Sequence, residues 1–236
     1  MSTSSPNDQL TSAEAVELVA LAGGLAHEIR NPLSTISMNI QLLVEELEPS
    51  ATPRDQRMLA RLLTVQKECL TLEETLSEFT QFVRLGHLEQ EPRDLSELVR
   101  RFLNFIGPEA KAKNIEIASY LSSDLPSVLI DERLFRQALL NLARNAFQAM
   151  ERGGRLEFQT YQKDGAVVLT VMDTGPGVSD KLLPRLFEPF FTTKVSGSGL
   201  GLPTVKRIIE AHNGVIHCES TPGKGTRFVI TLPSSH

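Results

Sequence analysis

An imidazole next to a carboxylate, with an amide one helical turn further on, is the first arrangement in this chain that could do chemistry: His27, Glu28 and Asn31. The imidazole offers a nucleophilic nitrogen near neutral pH. The acid can hold the other ring N–H and so fix the tautomer, and the amide can orient water on the same face. A second polar group is Asn141, Asn145 and Gln148, whose spacing of four and three lines up one face of a helix while Leu139, Leu142 and Phe147 turn elsewhere. An Asn amide oxygen on that face would suit Mg2+, a hard ion that commonly takes few protein ligands. Asp173 ends an apolar run and is followed by Thr174-Gly175-Pro176-Gly177, so a carboxylate sits where glycines let backbone approach a flat base. Leu186 to Lys194 follow, and then Gly197-Ser198-Gly199-Leu200-Gly201-Leu202 lead into a helix expected from Pro203. Glycines ahead of a helix start can offer backbone N–H groups to an anion, aided by the helix dipole. Walker spacing is absent and no βαβ unit surrounds them, which argues against P-loop and dinucleotide-binding readings. Taken singly, each segment also has a bland reading: a solvated helix face, a turn, or paired aromatics in a core.

The elements that must position these residues begin with a capping box, Thr11 with Glu14, opening a long helix. Leu18, Ala22, Leu25, Ile29, Leu33, Ile36, Ile40, Leu43 and Leu47 form its expected seam, from which His27 points away. Pro32 interrupts that helix without ending it and should kink it. After a turn at residues 48–51, Thr52-Pro53-Arg54-Asp55 caps a second helix, with a stripe of Leu59, Leu62, Cys69, Leu76, Phe79 and Val83 and with Gln66 and Glu73 as polar members of the row. Two such helices form a hairpin that buries one seam poorly alone, so a homodimer making a four-helix bundle is expected. Beyond a linker, Asp94 with Glu97 caps a helix through Ile106, a strand lies near residues 116–121, and Asp131 starts a helix to Glu151 that Gly153-Gly154 ends. Strands near residues 155–162 and 166–172 join at Asp164-Gly165, a hairpin signal. A helix from Pro203 to Asn213 stops at Gly214, and two strands end at Leu232. The fold class is α+β: a helical hairpin (11–85) after a disordered N-terminus (1–10), a linker (86–93), and a two-layer α/β sandwich (94–236).

With 236 residues and 41% hydrophobic content, the chain can bury a substantial core. Residues 1–91 hold 6 Lys/Arg against 14 Asp/Glu, and residues 92–236 hold 18 against 15. That asymmetry suits two units and does not suggest a nucleic-acid binder. Cys69 and Cys218 lie in apolar patterns without metal-ligand spacing, as inert thiols in a reducing, cytoplasmic setting would. Apolar stretches such as Ala166 to Met172, which Thr170 interrupts, are too short to span a membrane.

The string HEIRNPL, residues 27–33, closely resembles the phospho-acceptor box of two-component sensor histidine kinases, especially the nitrogen-regulatory branch. NLARNAFQA, DTGPG, LFEPFFTTK and GSGLGL resemble, in order and spacing, the four nucleotide boxes of the ATP-binding domain shared by histidine kinases, gyrase, Hsp90 and MutL. Gly223-Lys224-Gly225-Thr226 resembles its late glycine-threonine element. The resemblance covers residues 14–232. It implies ATP and Mg2+ as cofactors, with Asn145 holding the metal, Asp173 reading adenine with Thr226 assisting, and the glycine lid closing over the phosphates. It further implies that the ATP domain swings on the linker to phosphorylate His27, that Glu28 orients its ring, and that the phosphoryl group passes to a response-regulator receiver domain. Asn31 would position water for the reverse, dephosphorylating reaction. This chain departs from the pattern at Gln148 and Ala149, where many relatives carry a lysine and an aromatic residue; Lys194 is the candidate replacement for that charge. A degenerate nucleotide switch, or a serine kinase or ATPase of the same superfamily, are the rival readings.

Overall fold

Two long helices, α1 (Ser12–Leu47) and α2 (Pro53–Val83), form one compact unit, Met1–Arg84, and the rest of the chain forms another, Leu85–His236. The computed structural model describes residues 12–47, 52–83, 88–194 and 197–235, and the side chains of α1 at Ala26 and from Ile29 onward. The box expected at Thr11 and the turn at residues 48–51 lie outside the described residues.

In the hairpin, α1 is continuous through Pro32. Its buried residues are Ala26, Leu33, Ile40 and Val44, of which the last three pack with Cys69, Leu59 and Leu62 of α2. Of the expected seam, Leu33 and Ile40 are among them, whereas Ile29, Ile36 and Leu43 are about half exposed on the single hairpin (50%, 48% and 46%). A single partner helix covers only a narrow stripe, and the apolar arc of α1 is wider than that stripe. The start of α2 is as expected: Thr52 Oγ1 accepts the N–H of Asp55 at 3.2 Å, with Pro53 first in the helix. The polar members of the α2 row face α1, Gln66 donating to Gln41 and Ser34 to Glu73 at 3.4 Å.

The second unit builds a five-stranded sheet in the order β2 (Ile115–Leu121), β4 (Gly154–Lys163), β5 (Ala166–Asp173), β7 (Gly225–Pro233), β6 (Val215–Thr221), parallel only between β2 and β4. Strand β1 (Glu91–Arg93) pairs antiparallel with β3 (Val128–Ile130). The expected linker includes residues 91–93, and β3 is not among the expected strands. Each of the two is three residues long and takes its stability from a partner some 35 positions away in sequence, which local periodicity does not show. Helices α3 (Leu95–Ala112), α4 (Glu132–Ala149) and α5 (Gly201–Ala211) bury their apolar faces against the sheet in one core.

Helix α3 does not stop at Ile106 but runs on through Pro108. Phe102, Ile106 and Ala110 continue a four-residue period into the core, and that burial outweighs the lost backbone bond. Helix α4 ends two residues short of the expected Glu151. Its N-cap is the nearly buried Asp131, whose Oδ1 accepts from Leu134 N at 3.1 Å and whose Oδ2 accepts from Glu89 N at 3.2 Å. A cap of this kind is worth about 1 kcal/mol. The hairpin turn is as expected: Asp164 and Gly165 both have positive φ, 50° and 79°, between paired Lys163 and Ala166.

Candidate functional site

The C-terminal end of β5 carries Asp173, which is only 5% exposed. Its Oδ1 accepts the N–H of Gly175 at 2.8 Å and of Thr226 at 3.3 Å, so the turn after β5 and the start of β7 close on one carboxylate. Burial raises the Asp173 pKa, against those two donors and the Lys194 charge. The glycines here are sterically required. A β-carbon on Gly225 would overlap the Asp173 carbonyl, one on Gly177 would overlap the Thr221 carbonyl, and one on Gly175 would lie 2.8 Å from Asp173 Oδ1. Ser220 is a residue that the sequence reading misses. Its hydroxyl accepts from Val178 N at 2.8 Å, donates to Gly225 O at 2.7 Å and lies 3.2 Å from Thr226 Oγ1, locking this turn to the strand pair. One hydroxyl in a strand gives no such signal.

On α4, Leu139, Leu142, Ala143, Ala146 and Phe147 are buried, while Asn141 and Asn145 are half-buried and Gln148 is exposed, as the spacing implies. Asn141 Nδ2 donates to Gly201 O at 3.2 Å, tying this face to the first residue of α5. Lys194 Nζ donates to Asn145 Oδ1 at 3.1 Å and to Gln148 Oε1 at 2.5 Å. Burial of its ammonium end lowers the Lys194 pKa, although Asp173 pulls the other way. Asp173, Asn145, Gln148 and Lys194 therefore belong to one electrostatic neighbourhood.

The glycine segment departs from the sequence reading in two ways. Helix α5 starts at Gly201, so Gly201 and Leu202 are helical and Pro203 follows inside the first turn, where its missing N–H costs nothing. Two of the N–H groups expected to face an anion are used inside the segment: Gly197 donates to Lys194 O at 3.4 Å and Leu200 to Ser198 Oγ at 3.1 Å. Leu200 itself is fully buried, and Leu202 packs on the core. Of the aromatics in Leu186 to Lys194, only Phe187 joins the core. Phe190 is 62% exposed with φ of 65°, and Arg185 stacks on Phe191 at 4.2 Å. At the far end of α5 the left-handed residue is Asn213 (φ 56°), not Gly214. The buried His212 accepts from Asp131 N at 2.9 Å through Nε2, and its Nδ1 lies 2.7 Å from Ile208 O, so this histidine clamps the end of α5 to the start of α4.

His27 and Glu28 fall on α1, with side chains outside the described residues, whereas Asn31 is exposed four residues further on. Cys69 and Cys218 are free thiols, and burial pushes Cys218 up to about 12. Among the described residues no cluster of three or more His, Cys, Asp or Glu could hold a metal, and no helix is long and apolar enough to cross a membrane.

Residues 17–88 match the His Kinase A (phospho-acceptor) domain, and residues 130–236 match the family described as Histidine kinase-, DNA gyrase B-, and HSP90-like ATPase. The chain is 36% identical over 229 residues, 95% of its length, to the sensor histidine kinase ZraS of Klebsiella oxytoca, and it spans 48% of that protein. It thus covers about half the length of curated relatives of this kind. Full-length ShkA, solved in complex with AMPPNP, superposes with a TM-score of 0.71 at 32% identity, over 93% of this chain and 46% of that one. The mycobacterial sensor histidine kinase MprB superposes with a TM-score of 0.55 at 30% identity, over 62% of this chain and 98% of that one. The chain belongs to the sensor histidine kinases, as a two-component catalytic core with a phospho-acceptor hairpin and an ATP-binding domain.

Proposed function

We propose that this chain phosphorylates its own His27 with ATP and passes the phosphoryl group to an aspartate of a response-regulator receiver domain. The observation that carries the nucleotide half is Asp173. A buried carboxylate at a strand end, with one oxygen held by two backbone donors and glycines all around it, is fitted to accept the exocyclic amine proton of a flat base. Thr226, anchored through Ser220, stands beside it. The polar face of α4 and the segment Gly197 to Leu202 would take the phosphates, with Lys194 as the nearby cation.

The donor set also fits Mg2+. Asn145 Oδ1 already accepts a cation in the form of the Lys194 ammonium, and it is a neutral hard oxygen that leaves further coordination to phosphate oxygens. Mg2+ held there would neutralise charge on the β- and γ-phosphates.

In the transfer, His27 Nε2 attacks the γ-phosphorus in line, the bond from phosphorus to the β,γ-bridging oxygen breaks, and ADP leaves with the electron pair. Glu28 holds the Nδ1 proton, keeping Nε2 unprotonated and stabilising the cationic ring that forms. A receiver carboxylate then attacks the same phosphorus and His27 leaves as imidazole. Asn31, exposed on the same helix, would orient water for hydrolysis of the receiver's phosphate. Exposed Ile29, Ile36, Leu42 and Leu43 on α1 with Leu63 and Leu70 on α2 support a homodimer that covers them in a four-helix bundle. Free thiols and a need for ATP support a cytoplasmic setting for the reaction.

Incubation with γ-labelled ATP tests the reading. Wild type should take up label that is lost in acid and kept in base, and His27→Gln should take up none while still binding nucleotide. Label on His27→Gln, or acid-stable label on wild type, would overturn it.

A further inference from the structure

Lys194 lies 46 residues after Gln148, yet its ammonium is held on α4 by two amide oxygens, Asn145 Oδ1 and Gln148 Oε1, from successive turns of one face. Both acceptors are neutral. A carboxylate would bind the lysine more strongly but would cancel its charge, whereas two amides hold it in place and leave the charge available to an anion. The nearest full negative charge acting on it is Asp173, the carboxylate given above to the base. A fixed, uncancelled cation on the wall of a nucleotide site has one obvious use.

We propose that Gln148 is a positioning residue that, with Asn145, docks the Lys194 ammonium on α4 as the phosphate-binding cation of this site. The helix then needs no lysine of its own, because the segment ahead of the glycines delivers one. This inference rests on reading these residues as an ATP site, and it adds that the place of the charge matters more than the element carrying it.

An exchange experiment separates the two layers. AMPPNP binding to the full chain is measured with Mg2+ present for wild type, Lys194→Gln, Gln148→Leu and the exchange Gln148→Lys with Lys194→Gln. Loss of a charge-assisted phosphate contact should weaken Lys194→Gln by about tenfold. Gln148→Leu keeps the lysine but removes its dock and should lose a smaller factor. The exchange returns the ammonium to the same spot from the helix side, with the amide introduced at position 194 as its acceptor, and should recover most of the loss. Both positions are exposed, so all four proteins should melt alike by circular dichroism. An exchange protein no tighter than Lys194→Gln overturns the docking role and leaves the ATP reading intact. Unchanged affinity in Lys194→Gln removes Lys194 from the phosphates. No AMPPNP binding by wild type removes the reading on which both rest.

Discussion

Phe190 donates its backbone N–H to the carbonyl of Gly199 at 3.1 Å, which ties the aromatic segment to the glycine segment at the point where each has positive φ, 65° and 70°. A β-carbon on Gly199 would sit 2.5 Å from the Phe190 carbonyl carbon and 2.7 Å from the Phe191 nitrogen. Gly199→Ala therefore meets both a disfavoured conformation and backbone that cannot yield cheaply. The strain is of order 1–3 kcal/mol, and it falls on two segments at the edge of the core. The expected outcome is AMPPNP affinity reduced several-fold and a melting temperature lowered by a few degrees at most for each kcal/mol of strain. Wild-type affinity in this variant would mean that the Phe190–Gly199 link plays no part in nucleotide binding.

Asp173→Asn should separate binding from stability. The substituted amide keeps an oxygen for the Gly175 and Thr226 N–H groups but removes a buried charge. Because the folded state raises the Asp173 pKa, the folded protein binds more protons than the unfolded one between the two values. Stability therefore falls as pH rises through that window, and the variant should show a flatter descent with an equal or higher melting temperature at neutral pH. Nucleotide affinity should drop by roughly tenfold or more, the cost of a lost hydrogen bond to a charged group. In wild type, affinity should decline on acidification at a pH above the usual aspartate range. Melting curves across pH and AMPPNP titrations of both proteins decide it, and a less stable variant at neutral pH would sink the argument.

Asn145→Ala removes a half-buried amide that accepts from Lys194 and that is proposed above to hold Mg2+. Nucleotide binding in EDTA should fall only by the small factor expected for a weakened Lys194 dock, while the gain in affinity on adding Mg2+ should largely disappear. Titrating AMPPNP with and without the ion measures this directly, and an undiminished gain would move the metal to another residue.

Asn31→Ala tests the division of labour on α1. Phosphorylating His27 needs an imidazole, the neighbouring acid and ATP, none of which the Asn31 amide supplies, so labelling and transfer should proceed normally. Hydrolysis of a receiver's aspartyl phosphate needs a water held in line, and a methyl group cannot hold it. The phosphorylated receiver should outlive the one left with wild type and ADP; equal decay rates would mean that Asn31 is only a surface residue ahead of Pro32.

What the sequence determined by itself is local. Asp94, Asp131 and Thr52 are legible as caps because a cap acts on donors two or three residues away, and Asp164-Gly165 as a turn because two adjacent residues must take positive φ. The polar face of α4 follows from a spacing of four and three, and the order of the motifs sufficed to mark the family. Tertiary structure decided the rest, because it depends on what packs against what. The period of α1 displays an apolar arc, but α2 decides that Leu33 and Ile40 are buried and Ile29 is not. The helix expected to end at Ile106 runs on because the core claims Ile106 and Ala110 on either side of Pro108. Glu91–Arg93 becomes a strand only by meeting Val128–Ile130. Ser220, His212 and the Lys194 ammonium find their partners across a strand hairpin or across tens of residues, and separations of that size leave no period to read.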